Sequence, residues 1–229
     1  MNSENIKTFF KKIASQDIFV IDATISKHNY TPIDLSETNT ELQSFNNSSS
    51  TAWEIYITNY LRLKNKKVAF GGYLEKRNLY NRSDYFNNQN PETERNIHIG
   101  LDLWVEAETP VLSAFNGEIH SYKDNTNFGD YGPTIILKHE LNGSIFYTLY
   151  GHLSRESLIG LKVGAKVRQG DVIAKLGDAN VNGDYAPHLH FQIIIDLQGN
   201  TGDYPGVCSL NNLEFYKQNT VNPEIVLGL

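Results

Sequence analysis

From Ile97 onward the chain is cut into short apolar runs by Gly, Asn and Asp, and this punctuation limits the fold more than any other feature of its 229 residues. Pro110 to Ala114, Asn116-Gly117 and Glu118 to Tyr122 read as strand, tight turn and strand. Thr134 to His139, Leu141-Asn142-Gly143 and Ser144 to Tyr150 repeat that arrangement. Val163 to Val167, Gln169-Gly170-Asp171 and Val172 to Leu176 give a third hairpin. His188 to Asp196 (HLHFQIIID) is a β-prone run followed by a Gln198-Gly199-Asn200 turn. Short strands at this spacing predict a mainly β fold, a compact antiparallel sandwich or barrel. No helical run of useful length is expected in this half.

The first ninety residues have a different texture, rich in Asn, Ser, Lys and Tyr. Ile6 to Ile13 and Thr51 to Lys64 carry apolar residues at helical spacing, namely Phe9, Phe10 and Ile13, then Trp53, Ile57, Tyr60 and Leu61. Ser44 to Thr51 reads as a loop or helix lead-in, and Asn81 to Asn96 as a polar approach to the main domain. The expected organisation is a partly helical N-terminal extension, residues 1–90, and a β-domain, residues 91–229.

A net charge of -6 with no long block of one sign argues against a nucleic-acid partner held by bulk attraction. A single cysteine, Cys208, excludes an intrachain disulfide. Charges interrupt every apolar run between Met1 and Val20, so no secretory leader is visible there. No run approaches the ~20 apolar residues of a membrane span. The expected location is the cytoplasm, or the periplasm or exterior where a leader has been removed. The sequence leaves the oligomeric state open.

Chemistry enters with the histidines. His188 and His190 lie two apart at the start of a strand, so both imidazoles leave the same face. That suits one metal ligand and one imidazole reaching a metal-bound water. His98-Ile99-Gly100-Leu101-Asp102 offers a nitrogen and a carboxylate oxygen, both acceptable to Zn²⁺, and Gly100 lets the backbone bend between them. Two nitrogens and one oxygen leave a fourth tetrahedral position open, as in catalytic rather than structural zinc sites. His152 follows Tyr150-Gly151 at a strand end, where sites collect. Taken singly, each of these has a plainer reading as a satisfied structural or surface side chain. The tripeptide Gly-Asp-Tyr at 129–131, 183–185 and 202–204 is turn chemistry, or else a set of tyrosine-bearing loops around a substrate mouth.

In this order, H-x-G-x-D, Y-G-H-L and P-H-L-H-F resemble the lysostaphin/LytM family of zinc metallopeptidases, from about His98 to Ile195. The resemblance implies a compact antiparallel β-structure with a groove over the metal. It makes His98, Asp102 and His190 the zinc ligands and His152 and His188 the catalytic imidazoles. It implies an enzyme, a zinc metalloendopeptidase hydrolysing amide bonds through a metal-bound water, with a peptide or peptidoglycan-like substrate. The alternatives are a non-catalytic binding module on the same fold and a cytoplasmic metallohydrolase of a small amide. Glu108-Thr109-Pro110 and Gln192 depart from the family's usual residues without touching a ligand. A softer likeness, carried by Gly71 to Tyr80, Asp102-Leu103-Trp104, Asp130 to His139 and Gly202 to Cys208, is to a subgroup also found fused to aminotransferase-type enzymes. No H-E-x-x-H glutamate is present, so one of His152 and His188 is expected to act as the base.

Overall fold

A computed structural model describes residues 10, 18–82, 90, 92–141 and 143–229. The helix expected at Ile6 to Ile13 lies outside these residues apart from Phe10, as do Asn142 of the expected turn and half of the approach 81–96.

Thirteen strands are present among the described residues: β1 (Tyr30–Pro32), β2 (Val68–Gly71), β3 (Ile97–His98), β4 (Leu101–Trp104), β5 (Pro110–Leu112), β6 (Gly117–Asn125), β7 (Gly132–Leu141), β8 (Ser144–Gly151), β9 (Lys166–Val167), β10 (Val172–Lys175), β11 (His188–Ile194), β12 (Val207–Cys208) and β13 (Thr220–Val221). The large sheet runs β1-β2-β4-β11-β8-β7-β6-β9, with β13 added beside β11. Every pair is antiparallel except β1 with β2. Two small antiparallel ladders, β5–β10 and β3–β12, complete the β-structure.

Only the middle hairpin of the three expected is a hairpin: β7 and β8 pair from Leu141↔Ser144 to Ile135↔Tyr150. The other two are split between sheets. β5 pairs with β10, while β6 pairs with β7 and β9. Gln169-Gly170 lies in a turn as expected, but the partners of the flanking strands are decided by which strands share a core. Val111 of β5 and Ala174 of β10 pack with Leu101, Leu103, Leu189 and Phe191 of the large sheet in the main apolar cluster.

Alternation across β4 and β11 sets the two faces. Leu101, Leu103, Leu189, Phe191 and Ile193 enter that main core. The intervening Asp102, Trp104, His188, His190 and Gln192 face the other way and are nevertheless buried. Segments outside the ladder cover them. The helix α1 (Ser50–Lys64) begins at Ser49, whose side chain accepts the Ala52 N–H, and stops at Asn65 in the left-handed conformation (φ 52). It buries Trp53 and Ile57 in a second cluster with Ile33, Leu35, Leu79, Trp104 and Tyr185.

The C-terminal half does contain helices, contrary to the sequence expectation: α2 (Leu213–Asn219) and α3 (Pro223–Leu227). Both are too short for a periodic signal. α3 starts with Asn222, whose side chain accepts the Glu224 N–H, and has proline at the first helical position. No helix among the described residues is long and apolar enough to cross a membrane.

Candidate metal centre

Ladder register brings Asp102 and His190 side by side. Asp102 pairs with His190 across β4 and β11, and Gly71 and Gly151 continue the same row on the outer sides. His98 arrives from β3, after which the chain bends at Gly100 and enters β4. That glycine does more than allow the bend. An added Cβ would lie 2.5 Å from Cε1 and 2.6 Å from Nε2 of His190, so only a residue without a side chain lets the imidazole approach.

The result is a triangle of potential ligand atoms. His98 Nε2 lies 2.9 Å from His190 Nδ1 and 3.3 Å from Asp102 Oδ1, and His190 Nδ1 lies 3.1 Å from the same oxygen. All three residues are buried, and the group is placed to hold a metal ion. His98 Nδ1 must donate to the Gly72 carbonyl at 2.9 Å, because a carbonyl only accepts, which leaves the Nε2 lone pair facing the centre. On the far side of His190, Nε2 lies 3.4 Å from the Tyr131 hydroxyl. That hydroxyl in turn reaches the Tyr204 carbonyl at 3.1 Å and Gln192 Oε1 at 3.2 Å.

His152 and His188 stand beside the triangle, with ring centroids 4.2 Å apart. His152 donates from Nδ1 to the Asn182 carbonyl at 2.7 Å, and His188 from Nδ1 to the Ala186 carbonyl at 2.8 Å. Both therefore keep a lone pair at Nε2, that of His188 being 3.8 Å from Asp102 Oδ1. Trp104 stacks on His188 at 4.0 Å and 21°. His152 has φ 62, a left-handed backbone that a non-glycine residue adopts only under strain. Its N–H is held by the Tyr131 carbonyl at 2.9 Å and its carbonyl by the Gly177 N–H at 2.9 Å.

Burial dominates the electrostatics. It lowers His98 and His188 to about 4 against the partial opposition of Asp102. It also puts His152 well below the ordinary value, reinforced by His188 and His190. Burial alone would raise the Asp102 carboxyl, but His98, the Arg77 guanidinium, His188 and His190 hold it well below the usual carboxylate range. Asp102 is thus a carboxylate beside the neutral imidazoles of His98, His152 and His188, and a cation requires deprotonated ligands.

All five histidine and aspartate positions singled out in the sequence meet here, around a cavity of about 220 Å³. The three tyrosines of the Gly-Asp-Tyr loops, Tyr131, Tyr185 and Tyr204, are buried and line it too. Sequence reasoning missed Arg77, whose Nη1 donates to Asp102 Oδ2, and Asn182, whose carbonyl orients His152. Neither carries a local signal, since each acts across more than twenty residues of chain.

Residues 96–203 match the model of peptidase family M23. Among solved structures, the chain is similar to the catalytic domain of the antimicrobial peptidase lysostaphin from Staphylococcus simulans, with 27% identity over 53% of this chain and 80% of that chain and a TM-score of 0.37. It is also similar to a putative peptidase M23 from Pseudomonas aeruginosa, with 26% identity over 61% of this chain and 52% of that one, TM-score 0.39. A zinc-containing peptidase from Vibrio cholerae shares 29% identity over 45% of this chain and 31% of its own, TM-score 0.35. The chain therefore spans about half of the Pseudomonas protein and a third of the Vibrio one. A comparison with curated proteins gave no match. The M23 match begins two residues before His98 and contains Asp102, His152, His188 and His190 but not Arg77.

Proposed function

We propose that this chain is a zinc-dependent metallopeptidase in which His98, Asp102 and His190 hold the ion, and His152 and His188 are the catalytic imidazoles. The observation that supports this most is the triangle of buried ligand atoms, with edges of 2.9, 3.1 and 3.3 Å. Four ligands at ~2.0–2.1 Å around a tetrahedral zinc ion sit about 3.3 Å apart, so three corners fit with little adjustment. Two imidazoles and one carboxylate without sulfur are a catalytic rather than a structural donor set. Bound there, zinc supplies Lewis acidity, acidifying water and polarising a carbonyl oxygen.

The chain's own residues supply the proton transfers and the orientation. With Nδ1–H tied to a backbone carbonyl, His152 and His188 each offer Nε2 toward the centre in the neutral form. One accepts a proton from water at Nε2, and the other, once it carries a proton at Nε2, hydrogen-bonds the developing oxyanion or protonates the leaving amine. Asn182 and Ala186 fix the tautomers and Trp104 fixes the ring plane of His188. Residues 91–229 would form the peptidase domain and residues 1–90 an extension, of which Leu35, Trp53, Ile57 and Leu79 pack with Trp104 and Tyr185 on the site face.

Bacterial cell-wall peptides are the substrate class that the family resemblance implies. A second reading is favoured by the cavity, whose volume of about 220 Å³ falls below the ~300–1,000 Å³ of sites for drug-sized ligands. A short peptide or small amide fits such a site better than the middle of a polymer. Elemental mass spectrometry of the purified chain and of His190→Ala tests the metal reading. About one zinc per chain, lost in the variant, is expected, and no zinc in the wild type after reconstitution would sink the proposal. Cleavage of pentaglycine against blocked dipeptides then separates the two substrate classes.

A further inference from the structure

We infer that Arg77, backed by Glu75, is a positioning residue that restricts Asp102 to ligation through one oxygen, and that the segment 72–77, upstream of the M23 match, fixes two of the three metal ligands. The inference rests on the metal reading above.

The segment is locked to β3, which carries His98. Leu74 N–H donates to the His98 carbonyl at 2.8 Å, His98 N–H to the Glu75 carbonyl at 2.9 Å, and Arg77 N–H to the Asn96 carbonyl at 2.9 Å. Lys76 and Ile97 form an antiparallel bridge within this ladder. The Gly72 carbonyl then takes the His98 Nδ1 proton, setting which nitrogen faces the centre. Gly72 has φ +111, and a Cβ there would lie 2.1 Å from Arg77 Nη2 and 2.7 Å from His98 Nδ1. Only glycine permits this close approach of both side chains to one peptide.

Arg77 extends from the same segment and is 1% exposed. A buried guanidinium is tolerable only when paired and hydrogen-bonded, and here two carboxylates meet it. Its Nε donates to Glu75 Oε2 at 2.5 Å, and its Nη1 to Asp102 Oδ2 at 2.5 Å. Glu75 is itself held, because Oε1 accepts the Leu35 N–H at 3.0 Å. The chain of contacts therefore runs from the Leu35 backbone through Glu75 and Arg77 to Oδ2. That leaves Oδ1 as the oxygen facing His98 and His190. The planar fork matters as much as the charge, because an ammonium cannot bridge the two carboxylates along two fixed directions. Released from Arg77, Asp102 can turn both oxygens toward the ion and raise its coordination number.

Arg77→Lys and Glu75→Gln in the full chain test this. Zn²⁺ affinity is measured by competition with a chromophoric chelator, the visible bands of the Co²⁺-substituted protein report coordination number, and far-UV circular dichroism reports folding. Arg77→Lys is expected to bind Zn²⁺ about 10–100-fold more weakly, as losses of such outer partners typically do, and to show the weaker bands of a five-coordinate ion. Glu75→Gln should move both readouts in the same direction by less. Equal affinity and an unchanged Co²⁺ spectrum in both variants would overturn the inference, even if their thermal stability falls. If Arg77→Lys does not fold, Glu75→Gln decides by the same criterion. Absence of metal from the wild type is a different result and removes the metal reading itself.

Discussion

Two buried histidine sites lie on the same large sheet, and they differ in how their nitrogens are satisfied. His139 on β7 has both nitrogens occupied by the protein, Nδ1 by the Asn116 carbonyl at 2.9 Å and Nε2 by Thr148 Oγ1 at 2.7 Å. It stacks on Phe146 at 5.0 Å and meets Phe115 edge-on at 5.5 Å. At the candidate metal centre, His98, His152 and His188 each commit Nδ1 to a backbone carbonyl and turn Nε2 inward. Burial is common to both sites and therefore does not distinguish them. The distinction is whether each ring has one lone pair left pointing at a shared space, since that lone pair binds a cation or accepts a proton.

The comparison is broken most directly by function. His152→Ala is expected to lower peptidase activity about 10²–10⁴-fold, the usual contribution of a general acid–base group, while zinc content stays at the wild-type level. His139→Gln should leave both unchanged. Activity lost equally in the two variants would erase the difference between the sites.

The structural site should instead reveal itself through pH. Burial, against a weaker upward pull from its hydrogen bond to Asn116, lowers His139 to about 4, whereas the unfolded chain titrates near ~6.5. Between these values the unfolded state binds the proton and the folded state does not. The stability contributed by the neutral ring is therefore complete above pH ~6.5 and is lost as pH falls toward 4. The total is on the order of 3 kcal/mol. Urea unfolding of the metal-free protein across this window should be flatter in His139→Gln than in the wild type by about that amount. Parallel curves would show that His139 is not held neutral.

The smallest effect concerns the outer side of His190. Tyr131→Phe removes the hydroxyl 3.4 Å from Nε2 and is expected to weaken Zn²⁺ binding about tenfold, the low end for loss of an outer partner. Isothermal titration with Zn²⁺ checks this, and an unchanged affinity would mean that the Tyr204 and Gln192 contacts, not His190, account for the hydroxyl.

Much of the site could be read locally. Alternation of strand side chains puts His188 and His190 on one face, and β11 places both on the face opposite Leu189 and Phe191. The helix at Thr51 to Lys64 was legible from its apolar spacing and its serine-rich start, and the structure begins it one residue earlier. Strand pairing was less accessible. Asn116-Gly117 looks like a hairpin turn, yet β5 and β6 join different sheets, because the partner of a strand depends on core packing many residues away.

The amino-acid sequence by itself determined the mainly β class, the strand position that carries His188 and His190, and the donor types available to an ion. These follow from side-chain period and chemistry, which are properties of neighbouring residues. Only the tertiary structure decided that Gly72 and Arg77 reach His98 and Asp102, that Asn182 orients His152, and that His139 is satisfied on both nitrogens. Those contacts join residues separated by long stretches of chain, and they form only where several segments bury the same polar groups together and must satisfy them there.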